Sequence, residues 1–66
     1  MELREIMKQR REKFGLSQTD LAEMAGVSLA SVKDIERGKG NPTLSTVQKI
    51  LEVIGMEIVY QIRPMV

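Results

Sequence analysis

The sequence predicts a mainly α fold: a compact domain of four short helices followed by one C-terminal β-strand. Three observations lead there. Apolar residues recur at helical spacing in four stretches, cap residues and glycines punctuate the ends of those stretches, and the residues after Gly55 switch to a period of two.

The first stretch runs from Leu3 through Ile6 and Met7 to Phe14 with charged residues between, and Gly15 stands where a helix-ending glycine belongs. Ser17 precedes Gln18, Thr19 and Asp20, which predicts the N-cap of a second helix with an acid in its first turn, where the helix dipole favours it. That helix extends to about Ala25. Gly26 and Val27 interrupt the pattern before Ser28, another cap residue, and Leu29 to Arg37 resume it through Val32 and Ile35 up to Gly38. The run Gly38-Lys-Gly-Asn-Pro42 is a loop by composition. Thr43 then caps a fourth helix, whose apolar stripe is Leu44, Val47, Ile50, Leu51 and Ile54 and which Gly55 closes.

Beyond Gly55, Met56, Ile58, Tyr60 and Ile62 alternate with Glu57, Val59, Gln61 and Arg63 up to Pro64, the pattern of a strand. A lone strand leaves its backbone donors and acceptors unpaired. The expected solution is antiparallel pairing with a second copy across a two-fold axis, which would bury Met56, Ile58, Tyr60 and Ile62. The alternative is a disordered or helical tail, although a helix would scatter Glu57, Gln61 and Arg63 around its circumference. Residues 1–55 thus form one domain and residues 56–64 its dimerisation strand.

Composition narrows the function. With 66 residues the chain makes one domain at most and buries a modest fraction of its surface, so a partner subunit is expected from size alone. It has no cysteine and no histidine, which removes disulfides, Cys/His zinc sites and the usual general base. Ser17, Ser28, Ser31 and Ser45 lack a basic partner at an activating spacing, and neither a glycine-rich phosphate cradle nor an acidic metal cluster is evident. An enzyme, a cofactor and a metal are therefore not expected. No apolar run is long enough to span a membrane, and the charged opening Met1-Glu-Leu-Arg-Glu is unlike a secretory signal, so a cytoplasmic protein is expected. Net charge is only +1, but residues 1–16 carry five Lys or Arg against three Glu, a local excess of +2.

Two short helices joined by a tight glycine turn suit double-stranded DNA, because the second can lie in the major groove while the first braces it against the backbone. Ala22 is small where the helices approach, Gly26 can take the positive φ of the turn, and Val27, Val32 and Ile35 supply an inward face. Leu29, Ala30, Lys33, Asp34 and Arg37 then face outward. The run from Gln18 to Gly38, with Leu21-Ala22, Gly26-Val27-Ser28, Val32, Glu36 and Gly38 at characteristic spacing, closely resembles the Cro/repressor, or XRE-like, helix-turn-helix family. The four-helix pattern extends that resemblance over residues 2–54.

The resemblance implies a DNA-binding transcriptional repressor, with a double-stranded DNA operator as its partner and a nucleoid location when bound. It implies that Gln18 holds a backbone phosphate, that Ser28 through Lys33 face the base edges, and that Arg11 and Glu36 pair between the first and third helices. Lys39, Asn41 and the amides around Thr43 would grip phosphate at the fourth helix's N-terminus. Among base readers, Lys33 suits guanine O6 and N7, Ser31 is permissive, and Leu29 or Ala30 suits a thymine methyl. Asp34 would repel phosphate, so it either accepts from cytosine N4 or orients Lys33 or Arg37.

Leu51 to Pro64, through Gly55-Met-Glu-Ile-Val-Tyr-Gln-Ile-Arg-Pro64, further resembles the HipB-like antitoxin regulators. That group implies a homodimer tied by terminal strands, a HipA-like kinase toxin as partner, and autoregulation of a toxin-antitoxin pair. The alternatives are a prophage repressor or restriction-modification controller of the same fold, or an interaction module that has lost DNA binding.

Overall fold

The structure is a computed structural model and describes residues 2–65. Among them are four helices: α1 (Leu3–Lys13), α2 (Gln18–Ala25), α3 (Leu29–Glu36) and α4 (Leu44–Val53). Each lies where its apolar spacing and cap residues predict. Ser17 Oγ accepts from the Asp20 amide at 2.9 Å while Asp20 Oδ2 accepts from the Ser17 amide at 3.0 Å, a reciprocal capping box. Ser28 and Thr43 cap α3 and α4 by accepting from the amides of Ser31 and Thr46.

All four helices end the same way. The residue after Gly15, Gly26, Gly38 and Gly55 donates back to a carbonyl in the preceding helix (Leu16 to Arg11, Val27 to Ala22, Lys39 to Asp34, Met56 to Leu51), closing a Schellman turn. This turn requires positive φ, which is why the sequence places glycine there; Gly26, between α2 and α3, has φ +70°.

One core holds the helices together: Met7 from α1, Leu21 and Ala22 from α2, Val32 and Ile35 from α3, and Val47, Ile50, Leu51 and Ile54 from α4 and its cap. α3 packs on α1 and α2, and α2 packs on α4. The apolar residues Leu3 and Val27, expected to face inward, are only partly buried against this core, Leu29, expected to face outward, is partly buried against it too, and Phe14 is exposed.

The C-terminal strand is not present. Residues 56–65 adopt no regular element, and the residues expected to share one buried face divide instead. Met56 and Ile58 pack against the chain's own core, whereas Tyr60 is 73% and Ile62 98% exposed. The physical reason is the one that made a lone strand problematic: one chain supplies no neighbouring strand, so no ladder forms and the backbone stays solvated. The described residues measure 45 × 23 × 19 Å, with one dimension about twice the others.

Candidate nucleic-acid interface

The α2-turn-α3 unit is built on a close approach. Ala22 is buried on α2, and the Schellman turn at Gly26 sends the chain directly into Ser28, the cap of α3. With Val32 and Ile35 turned into the core, helical geometry leaves Ala30, Lys33 and Arg37 exposed and Leu29, Ser31 and Asp34 half-buried. The expected outward face is therefore largely present, with Leu29 shared between surface and core.

Two of its polar residues are already engaged within the protein. Ser31 Oγ lies 2.8 Å from Ser28 Oγ, so its hydroxyl belongs to the cap as well as to the surface. Asp34 forms an ion pair with Arg37 one turn later on the same helix. Of the two basic side chains considered as partners for this carboxylate, it meets Arg37. Lys33 has no ion-pair partner among the described residues.

The orientation of α3 is fixed from behind. Arg11 Nε and Nη2 donate to the two oxygens of Glu36 at 2.8 and 2.9 Å, a bidentate pair joining α1 to the last turn of α3. Arg11 Nη1 also donates to the Leu16 carbonyl at 2.8 Å, tying in the loop before α2. Its hydrogen bond to Glu36 holds the guanidinium pKa above its ordinary value, against the opposing effect of partial burial. The side chains are 12% and 4% exposed, well shielded from water. Gln18, at the start of α2, donates its Nε2 to Glu36 Oε1 at 3.3 Å, so the residue expected to hold phosphate is braced by the same network. At the other end of the capping box, Asp20 has its carboxyl held below the usual range, first by the Ser17 amide and then by the Ser17 hydroxyl.

Across from α3 the chain forms a groove of about 280 Å³ whose walls include Ser31, Asp34, Lys39, Asn41 and Thr43. Thr43 Oγ1 accepts from the Thr46 amide at 3.2 Å and donates to Thr46 Oγ1 at 3.1 Å, so its side chain serves the helix end. The following amides, Leu44 and Ser45, are the first-turn donors that have no acceptor within a helix. Lys39, Asn41 and Thr43 face the same groove as Ser31 and Asp34.

A helix-turn-helix family model matches residues 7–61, which takes in α2, its glycine turn and α3 together with all of α4. The chain belongs to the XRE-like helix-turn-helix family. It is 40% identical over 48 residues to the HTH-type transcriptional regulator PuuR of Escherichia coli, a match covering 73% of this chain and 26% of that protein. Against the HTH-type transcriptional regulator DdrOP3 of Deinococcus deserti, identity is 34% over 58 residues, 88% of this chain and 45% of the relative. A protein of Archaeoglobus fulgidus, provisionally named an HTH-type transcriptional regulatory protein, is 49% identical over 51 residues, 77% of this chain and 16% of its own length. The chain thus spans less than half the length of each of these relatives. Among the described residues no helix is long and apolar enough to cross a membrane.

Sequence reasoning on this helix-turn-helix domain missed two arginines. Arg10 donates through Nε and Nη2 to the Ile54 carbonyl at 3.1 and 3.0 Å and lies 5.2 Å from the centroid of the Phe14 ring. It clamps α1 to the end of α4. Arg4 lies across the backbone of Gly38 at the end of α3. In each case the partner is a backbone group far along the chain, so no local spacing signals the contact.

Proposed function

We propose that this chain is a sequence-specific DNA-binding repressor that lays α3 in the major groove and works as a homodimer. The observation that carries the reading is the exposed face of α3, with Ala30 and Lys33 outermost, on a helix whose last turn is anchored through Glu36 to Arg11. Lys33 donates to guanine O6 and N7, and Ala30 packs on a thymine methyl. Ser28, Ser31 and the accessible part of Leu29 complete the reading surface, while Asp34 holds Arg37 at its edge. Gln18, Lys39, Asn41 and the amides that follow Thr43 hold phosphates on either side and set register without reading sequence.

So few base-reading groups give one subunit weak specificity, which favours a dimer. The apolar series Met56, Ile58, Tyr60 and Ile62, half of it exposed on one chain, supports the terminal segment as the dimer contact. Two such subunits would read half-sites about 34 Å apart on one DNA face. The finer role we assign is an autoregulating antitoxin with a HipA-like kinase partner. It is supported by the resemblance of Leu51 to Pro64 to that group and is tested by co-purification with the product of the adjacent gene.

The test of DNA reading is selection of bound duplexes from random sequence, followed by gel shift with the double variant Ala30→Glu and Lys33→Ala. The wild type is expected to enrich a paired-half-site sequence, and the folded variant to lose preference for it. Undiminished preference in the variant removes α3 as the reading element.

A further inference from the structure

We infer that Arg4, in the first turn of α1, is a further phosphate-binding residue that extends the DNA interface across the outer side of the α3–α4 loop. This rests on the DNA-binding reading above and adds a contact to it.

The loop from Gly38 to Pro42 is a ridge with a hollow on each side. One side is the groove facing α3, with Ser31, Asp34 and Asn41. The other, of about 220 Å³, is lined by Glu2, Arg4, Gly38, Lys39 and Pro42. Lys39 belongs to both, so a phosphate run that meets Lys39 on the crest passes beside Arg4.

Arg4 lies against the backbone of Gly38, whose positive φ places glycine there in any case. A Cβ on residue 38 would stand 3.0 Å from Arg4 Nη1 and 3.1 Å from its Cδ, so the guanidinium end rests on bare backbone. Its side chain is nevertheless 49% exposed, and its one ion-pair contact is between Nε and Glu2 Oε2, 2.8 Å apart. A guanidinium with free donors in a fixed fork, placed beside a lysine on a protruding loop, is suited to a phosphate diester. Glu2 is its competitor: in the free protein it neutralises the charge, and on DNA the phosphate replaces it.

A purely structural role, in which Arg4 complements the C-terminal end of the α3 dipole, would affect folding without affecting DNA electrostatics. Salt dependence separates the two. Each phosphate contact adds about 0.9 to the slope of log affinity against log salt. Arg4→Gln is therefore expected to lower that slope by about 0.9 per bound subunit, so that raising salt from 50 to 200 mM costs each wild-type subunit about 3.5-fold more affinity than the variant.

The measurement is fluorescence anisotropy on the selected duplex and on a mixed-sequence duplex of equal length, for the wild type, Arg4→Gln, Arg4→Lys and Glu2→Gln, with a thermal melt of each. The slope should fall equally on both duplexes in Arg4→Gln and return in Arg4→Lys, and Glu2→Gln should bind more tightly than wild type. An unchanged slope in Arg4→Gln with a lowered melting temperature makes Arg4 a structural brace and overturns the inference while leaving the DNA reading intact. If Arg4→Gln does not fold, Glu2→Gln decides: no gain in affinity overturns the inference. Absence of any salt-dependent binding by the wild type overturns both.

Discussion

Removing one partner of the Arg11 and Glu36 pair should cost far more than removing both. Glu36→Leu leaves a guanidinium that is 12% exposed with the Leu16 carbonyl as its remaining partner, and Arg11→Met leaves a carboxylate that is 4% exposed facing only Gln18. Stranding a buried charge in this way costs about 3–5 kcal/mol, and the partial access of water to Arg11 places these variants near 3 kcal/mol. A 66-residue domain at ordinary stability per residue has only about 3–10 kcal/mol in total, so each single variant should lose a large part of that stability and unfold at a much lower urea concentration. The double variant Arg11→Met with Glu36→Leu replaces the pair by apolar groups and should lie within about 1 kcal/mol of wild type, the residue of the cost coming from the Leu16 carbonyl that loses Arg11 Nη1. Urea denaturation followed by far-ultraviolet circular dichroism gives all four corners of the cycle. Single variants that each lose less than about 1 kcal/mol, with no recovery in the double, would refute the reasoning. The pair would then behave as solvated surface charges, and packing of Val32 and Ile35 alone would orient α3.

Other expected outcomes follow from the same contacts. Gly26→Ala meets no atom within 4 Å, so its cost is the positive φ alone, about 1–2 kcal/mol, readable as a lower urea midpoint with unchanged slope. Because the folded state depresses the Asp20 pKa, the unfolded chain binds the proton more readily. The stabilisation is present above the ordinary aspartate range and is lost as pH falls through the folded value, and Asp20→Asn should remove this part of the acid dependence. Deleting residues 59–66 should leave helical content intact, since Met56 and Ile58 remain on the core, and should give a monomer by sedimentation; a surviving tight dimer would place the contact elsewhere.

The helices were legible because their signals are local. Ser17, Ser28 and Thr43 bond to amides three residues on, and each terminal glycine answers a steric demand of its own turn. The pairing of Arg11 with Glu36 spans 25 residues and came only through family resemblance. Arg4 and Arg10 had no such help. Alternation after Gly55 correctly marked a segment that does not continue the helix, but periodicity reports which residues differ in polarity and says nothing of what lies alongside. Without an adjacent strand, Met56 and Ile58 take the nearest apolar surface, which is the domain's own, and Tyr60 and Ile62 are left outside.

The hold of Arg10 on the Ile54 carbonyl makes the first helix a bracket for the far end of the chain. The last turn of α4 cannot unwind without giving up both guanidinium bonds, and with Met56 and Ile58 seated beyond it the root of the tail has a set heading. In the proposed dimer, a second copy meeting the exposed tail would be aimed by the same helix that steadies α3 through Arg11. The angle between α3 and the root of the tail is thus set by two adjacent arginines on one turn of α1.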